Sequence, residues 1–204
     1  MRVTGSVCEC AVVCVNGGQH REMEGTWSPS VEWLVEQLEP KLPELAFAEV
    51  RYRVKSWRRL ESCVEDARAA VYEVGAPRIA LLGFSMGGAV SISIAAEPKV
   101  QEVVGLAPWI PDQLDVSSLR GKRLAVIHGS LDRGFPGIPG VSPSLSRRGF
   151  DRARERGAEG TYVLVPGGVH GVALRSPWGR LVALPKARRW AELVEEELRR
   201  FAAM

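Results

Sequence analysis

Apolar positions along the chain fall into two alternating patterns. Short, nearly unbroken apolar runs recur at residues 7–15, 78–82, 103–106, 124–127 and 162–165, each bounded by glycine, proline or polar residues. Runs of this length, rich in valine, isoleucine and leucine, predict strands buried on both faces. Residues 47–54 alternate apolar and polar and predict one more strand. Between these runs the spacing changes to that of helices. Val31, Leu34, Val35 and Leu38 follow Ser28-Pro29, a cap residue with proline at the first helical position, and Pro40 and Pro43 close that helix. Leu60, Cys63, Val64, Ala67, Val71 and Val74 form a second stripe that stops at Gly75 and Pro77. Small residues at 88–96 predict a third helix. Ser142-Pro143 begins a weaker one with Leu145, Phe150 and Ala153, and Trp190, Leu193, Val194, Leu198 and Phe201 mark a closing amphipathic helix.

Strands that alternate with helices pair in parallel, because each crossover must return across a face of the sheet. The pattern therefore predicts a three-layer α/β/α sandwich around a mostly parallel sheet of about six strands. Residues 1–204 contain no internal repeat, low-complexity tract or linker and are read as one domain. Such sheets bind ligands beyond the carboxyl ends of their strands, so chemistry is expected in the loops that follow strands.

One such loop carries Gly83-Phe84-Ser85-Met86-Gly87 between a predicted strand and a predicted helix. In that context Gly-x-Ser-x-Gly is a sharp turn that holds a serine hydroxyl clear of the sheet, at the start of a helix. Glycines flank the turn because side chains there would clash. An isolated hydroxyl is a weak nucleophile and needs a base. His170 follows the last of the predicted strands, among Gly167, Gly168 and Gly171, which leave the ring room to approach. Asp132, just past the strand at 124–127, is the first choice for the acid that orients the histidine, and Asp112 is the alternative. His128 reads as a hydrogen-bonding residue at a strand end.

The order strand–Ser85, strand–Asp132, strand–His170 resembles the α/β-hydrolase superfamily. The words Gly-Phe-Ser-Met-Gly-Gly at 83–88, His-Gly-Ser-Leu-Asp at 128–132, Gly-Gly-Val-His-Gly at 167–171 and Ala-Pro-Trp-Ile at 107–110 carry the likeness. It is nearest to small bacterial members of the dienelactone-hydrolase or lysophospholipase-like kind and spans nearly the whole chain. The resemblance implies a serine hydrolase that cleaves carboxylic esters or thioesters through an acyl-enzyme, without cofactor or metal. It implies an oxyanion hole made by the backbone N–H of Met86 and one from Asn16-Gly17-Gly18, where relatives carry His-Gly-x. Gly18 is the first choice there and Gly17 the second. Relatives often carry a lid where this chain has only residues 108–123, so a lidless, open site is expected. The loop at 172–185 is left as a partial cover. His20, Phe84, Trp109 and Trp178 are candidate pocket residues. The same triad would also serve an acyltransferase or cyclase, and a non-catalytic binding module on this scaffold is the alternative from another class.

Composition narrows the partners. The chain is 46% hydrophobic and 25% charged, as in ordinary globular proteins, and no stretch reaches the roughly 20 apolar residues of a membrane span. The apolar run near the N-terminus contains Glu9 and is followed by Asn16-Gly17-Gly18 in place of a cleavage site, so it reads as a core strand of a cytoplasmic protein. The net charge of +3 comes from arginines interleaved with glutamates on helices, a solvated face and not a phosphate track. A small-molecule acyl substrate is therefore expected, with no nucleic acid and no membrane. If the strand at 7–15 runs unbroken, the thiols of Cys8, Cys10 and Cys14 share one face by their even offsets. With Cys63 they lack the second pair of a zinc site and read as buried apolar groups.

Overall fold

A computed structural model describes residues 1–7, 9–133 and 140–204. In chain order the strands are β1 (Arg2–Thr4), β2 (Cys10–Val15), β3 (Met23–Glu24), β4 (Leu45–Glu49), β5 (Val54–Lys55), β6 (Arg78–Phe84), β7 (Val100–Leu106), β8 (Arg123–Gly129), β9 (Glu159–Val165), β10 (Ala173–Arg175) and β11 (Leu181–Ala183). The helices are α1 (Pro29–Leu38), α2 (Leu60–Glu73), α3 (Met86–Ser93), α4 (Pro143–Glu155) and α5 (Ala187–Ala202). Seven strands form the main sheet in the order β1-β4-β2-β6-β7-β8-β9. Six of them run parallel, and β1 closes one edge antiparallel to β4. Among the described residues no helix is long and apolar enough to cross a membrane.

The alternation of side chains along the strands divides the core into two layers. Ala11, Val13, Ile79, Leu81, Val103 and Val126 face α2, α3 and α4. Val12, Cys14, Ala80, Leu82, Val104 and Ile127 face α1 and α5. Both layers are fully enclosed, which is why the central strands read as unbroken apolar runs. Ser28 caps α1, accepting a hydrogen bond from Val31 N, and Ser142 caps α4 in the same way through Leu145 N. Gly75, at φ +79°, ends the turn after α2 in the left-handed region where a side chain would be strained.

Several expected boundaries move. The strand expected at 7–15 begins at Cys10, because Glu9 is exposed and the chain before it turns at Gly5 (φ +83°) into the separate edge strand β1. That seventh strand is only three residues long and half exposed, so it left no apolar run to read. Cys10 and Cys14 share one buried face, Cys63 is buried on the other, and Cys8 lies outside the described residues. The strand expected at 47–54 is β4, ending at Glu49. The alternation beyond it is real, but Val50 and Tyr52 are buried as loop residues, with Tyr52 Oη donating to Asn16 O at 2.8 Å. In the polar stretch after β2, β3 pairs with β5 as a small antiparallel ribbon. The helix expected at 88–96 is α3, which starts two residues earlier.

The order of the sheet reverses around β2: the chain leaves it toward β4 and later returns on its other side as β6. The loops after β2 and β6 therefore open side by side, at the switch point where such sheets hold ligands.

Candidate active site

Ser85 sits between β6 and α3 with φ 54° and ψ −118°, a region that non-glycine residues rarely occupy. Its backbone is tied on both sides. Ser85 N–H donates to Leu106 O at 2.9 Å, and Ser85 O accepts from Gly88 N and Trp109 N, each at 2.9 Å. The flanking glycines are steric necessities. A Cβ on Gly83 would run into Gly87 O, and one on Gly87 into Val15 O. Ala107, fully buried at φ +42°, turns the chain after β7 so that Trp109 reaches the elbow.

His170 comes from the loop after β9. Its Nε2 lies 3.1 Å from Ser85 Oγ and its Nδ1 2.7 Å from Asp132 Oδ2. A carboxylate on Nδ1 fixes the proton there and leaves Nε2 as the acceptor for the serine hydroxyl. Phe84 packs beside the imidazole, with ring centroids 5.1 Å apart. The loop is anchored to α1 by the buried Ser30, whose Oγ accepts from Val172 N at 3.1 Å and donates to Ala173 O at 3.2 Å. Asp112, the alternative acid, stands elsewhere. Its side chain is 66% exposed and faces Arg148 and Arg152 at 3.7 and 3.9 Å.

Asp132 serves two histidines at once. His128 Nε2 lies 3.1 Å from the same Oδ2 and 2.9 Å from Val141 O. Facing two acceptors, Nε2 carries a proton, and Nδ1 meets the Ser146 hydroxyl at 2.7 Å. Ser146 in turn contacts Tyr162 Oη at 2.9 Å. Ser146, His128 and Asp132 thus repeat the serine–histidine–aspartate pattern in the interior. Ser146 and His128 are fully buried and line neither of the two clefts at Ser85. Burial pushes the Asp132 carboxyl up, but the hydrogen bonds from His128 and His170 outweigh it and hold it below its ordinary value.

Two clefts meet at Ser85. One, of about 250 Å³, runs from Ser85 and His170 past Phe84 to Trp27, Lys55 and Leu174. The other, of about 320 Å³, lies between Met86, Trp109 and Val141. Trp57 borders both. Gly17 and Gly18 form one wall of the first cleft. A Cβ on Gly17 would come within 3.3 Å of Ser85 Cβ, and one on Gly18 would strike Met86 Sδ and the Trp57 ring. Only bare backbone fits so close to the elbow. Asn16 holds this loop through Nδ2, which donates to Val50 O at 2.7 Å and Thr26 O at 3.3 Å.

The other candidate pocket residues divide. Phe84 lines the first cleft and Trp109 the second. His20 lies outside both, against Trp57 and Arg58. Trp178 is 86% exposed in the turn of the β10–β11 hairpin, which meets the first cleft through Ala173 and Leu174. Between β7 and β8 the chain forms a single 3₁₀ turn, Ser117–Leu119, and no lid. Trp57, Trp27, Lys55 and Ser30 went unread in the sequence. Lys55 ends β5, which begins at the last residue of the alternation at 47–54, Trp57 opens the 3₁₀ turn Trp57–Arg59 just beyond it, and Ser30 had no signal other than its place in a helix.

The sequence matches no protein-family model and no curated protein. Solved structures do share its architecture. An α/β serine hydrolase homologue from Coxiella burnetii is 19% identical with a TM-score of 0.67, over 96% of this chain and 89% of that one. The ferulic-acid-bound Est1E from Butyrivibrio proteoclasticus is 15% identical with a TM-score of 0.66, over 100% and 95%. A lidless α/β serine hydrolase from Xanthomonas campestris is 18% identical with a TM-score of 0.63, over 97% and 84%. The chain therefore has the α/β-hydrolase fold, in a small form without a lid between β7 and β8.

Proposed function

We propose that the protein is a serine hydrolase that cleaves small carboxylic esters or thioesters through an acyl-enzyme. One observation carries the reading: a continuous run from Ser85 Oγ through His170 to Asp132, with contacts of 3.1 and 2.7 Å, opening on a cleft. Ser85 Oγ attacks the substrate carbonyl carbon while His170 Nε2 takes its proton. Asp132 keeps His170 in the required tautomer and offsets the charge on the imidazolium. The tetrahedral oxyanion accepts hydrogen bonds from Met86 N–H, at the start of α3, and from Gly18 N–H, with Gly17 second. Collapse expels the alcohol or thiol, which takes the proton from His170. Water then attacks the acyl carbon and gives its proton to His170; the Oγ–carbon bond breaks, Ser85 Oγ takes that proton back, and the acid leaves.

The modest clefts favour small acyl and leaving groups, one on each side of Trp57. The ferulic acid held by the Butyrivibrio neighbour supports small-molecule ester substrates for this site. Residues 1–204 act as one catalytic domain in this reading. The test is a fluorophosphonate probe. Wild type is expected to be labelled at Ser85 and to hydrolyse p-nitrophenyl acetate, while Ser85→Ala loses both, with turnover down by at least about 10⁴. A folded wild type that neither labels nor turns over sinks the reading.

A further inference from the structure

We infer that the first cleft selects esters carrying an anionic group, a carboxylate or its equivalent, and that Lys55 recognises it. This rests on the hydrolase reading and adds a substrate class to it. Among the described residues, Lys55 is the sole lysine, arginine, aspartate or glutamate lining the cleft. It stands across from the β6–α3 elbow on β5, half-buried, held there by the pairing of β5 with β3.

Its ammonium has one contact with a side chain among the described residues. Nζ donates to Thr26 Oγ1 at 3.4 Å, a long contact to a neutral hydroxyl, and Lys55 forms no ion pair among the described residues. The carboxylates of the neighbouring β3 segment face other cations: Glu24 pairs with Arg51, and Glu22 with Arg59 at 3.6 Å. Lys122 makes the contrast. It too is partly buried, but its Nζ donates to two backbone carbonyls, Glu97 O and Val100 O, as a structural lysine should. Burial lowers the Lys55 ammonium from its ordinary value, against a weaker opposing pull from Cys63. A lone cation without an ion-pair partner among the described residues, on the wall of a cleft that ends at the proposed nucleophile, is placed to donate charge-assisted hydrogen bonds to a ligand anion.

The anion could belong to the acyl part or to the leaving group, and matched ester pairs separate the two. On the acyl side, p-nitrophenyl hemiadipate is compared with p-nitrophenyl hexanoate. On the leaving-group side, 3-acetoxybenzoate is compared with its methyl ester. Wild type is expected to prefer the anionic member of one pair by about tenfold in kcat/KM, mainly through KM, because one charge-assisted hydrogen bond is worth about that factor. Lys55→Met should bring the ratio near one, Lys55→Arg should retain part of it, and added salt should shrink it.

Calorimetric binding to Ser85→Ala reads the cleft without turnover. Of 3-acetoxybenzoate and adipate monomethyl ester, at least one should bind about tenfold tighter than its neutral methyl ester, and the added Lys55→Met change should abolish the difference. Equal affinity and equal turnover for charged and neutral partners overturn the inference, as does a preference that survives Lys55→Met. Failure of the hydrolase reading looks different: no fluorophosphonate labelling and no turnover of the neutral esters, with the binding comparison still deciding the role of Lys55.

Discussion

Two carboxylates are buried at opposite ends of the same parallel sheet, and the protein treats them in opposite ways. Asp132 lies past the carboxyl end of β8, where its Oδ2 accepts from two histidines and its Oδ1 has no partner among the described residues. Glu102 lies near the amino end of β7, fully buried, where Arg200 donates to both its oxygens at 2.6 and 2.7 Å. Arg123 stands 4.0 Å from Glu102, and both arginines also reach Glu197 on α5. The histidine partners hold the Asp132 carboxyl below its ordinary value despite burial. At Glu102 burial wins over the arginines, and the carboxyl is raised. Neutral or switchable partners suit a group that must steer a proton. Permanent cations suit one that only ties a helix to the sheet. The strain follows the same division: Ser85 and Ala107, two of the three non-glycine residues at positive φ among the described residues, cluster at the carboxyl end, and the third, Lys186, precedes α5.

The comparison breaks most sharply at Asp132. Asp132→Asn should lower kcat on p-nitrophenyl acetate by about 10⁴ while the protein stays folded, because the amide leaves His170 in the wrong tautomer. Asp112→Asn should stay near wild type. If Asp112→Asn alone loses orders of magnitude, the acid has been misassigned.

The next test strikes the other end. Arg200→Met leaves Glu102 without the Nη2 donor that meets both its oxygens and should cost about 3 kcal/mol, the low end for breaking a buried pair, since Arg123 remains. Denaturant unfolding measures the loss, and turnover per fluorophosphonate-titrated site should hold. The loss should depend on pH. A raised carboxyl destabilises the fold once ionised, so wild type gains stability as pH falls through that raised value toward the ordinary glutamate value of about 4.3. Without Arg200 the carboxyl rises further, and the variant should recover part of its stability on mild acidification. Asp132 has the opposite sign. Its contribution is present above the ordinary aspartate value of about 3.9 and is lost as pH falls through its lowered value. A loss in Arg200→Met that is the same at all pH values would remove Glu102 from the account.

The two ends also differ in how much of them could be read from the sequence. The parallel sheet, all five helices and two cap residues were legible, because burial on both faces writes long apolar runs and helical stripes. Ser85 and His170 were legible because glycines must crowd around them. Asp132 was narrowed to a choice with Asp112, since both follow strands and nothing local says which one faces the histidine. Segments that pack without periodicity were not legible. Tyr52 enters the core from a loop, so the run at 47–54 looked like one strand and concealed β5, which carries Lys55 to the cleft. The Glu102–Arg200 pair joins residues 98 positions apart and left no trace in either local pattern.

His128 gives the smallest effect and the finest test, because it touches Asp132 without touching substrate. Its Nε2–H supplies one of the two hydrogen bonds that hold the Asp132 carboxyl down, and Ser146 and Val141 fix its ring. His128→Leu removes that donor. The Asp132 carboxyl should then rise toward its ordinary value, the acid limb of kcat/KM should move to higher pH, and kcat should fall by about tenfold, the lower range for losing an outer hydrogen bond to a catalytic group. His128→Gln can still place an N–H near Oδ2 and should recover part of both effects. A side chain that merely filled space would behave otherwise: His128→Leu would lower the unfolding midpoint, leave the pH profile where it was, and Gln would rescue nothing. The pH profile thus distinguishes an orienting role for this second histidine from one of packing alone.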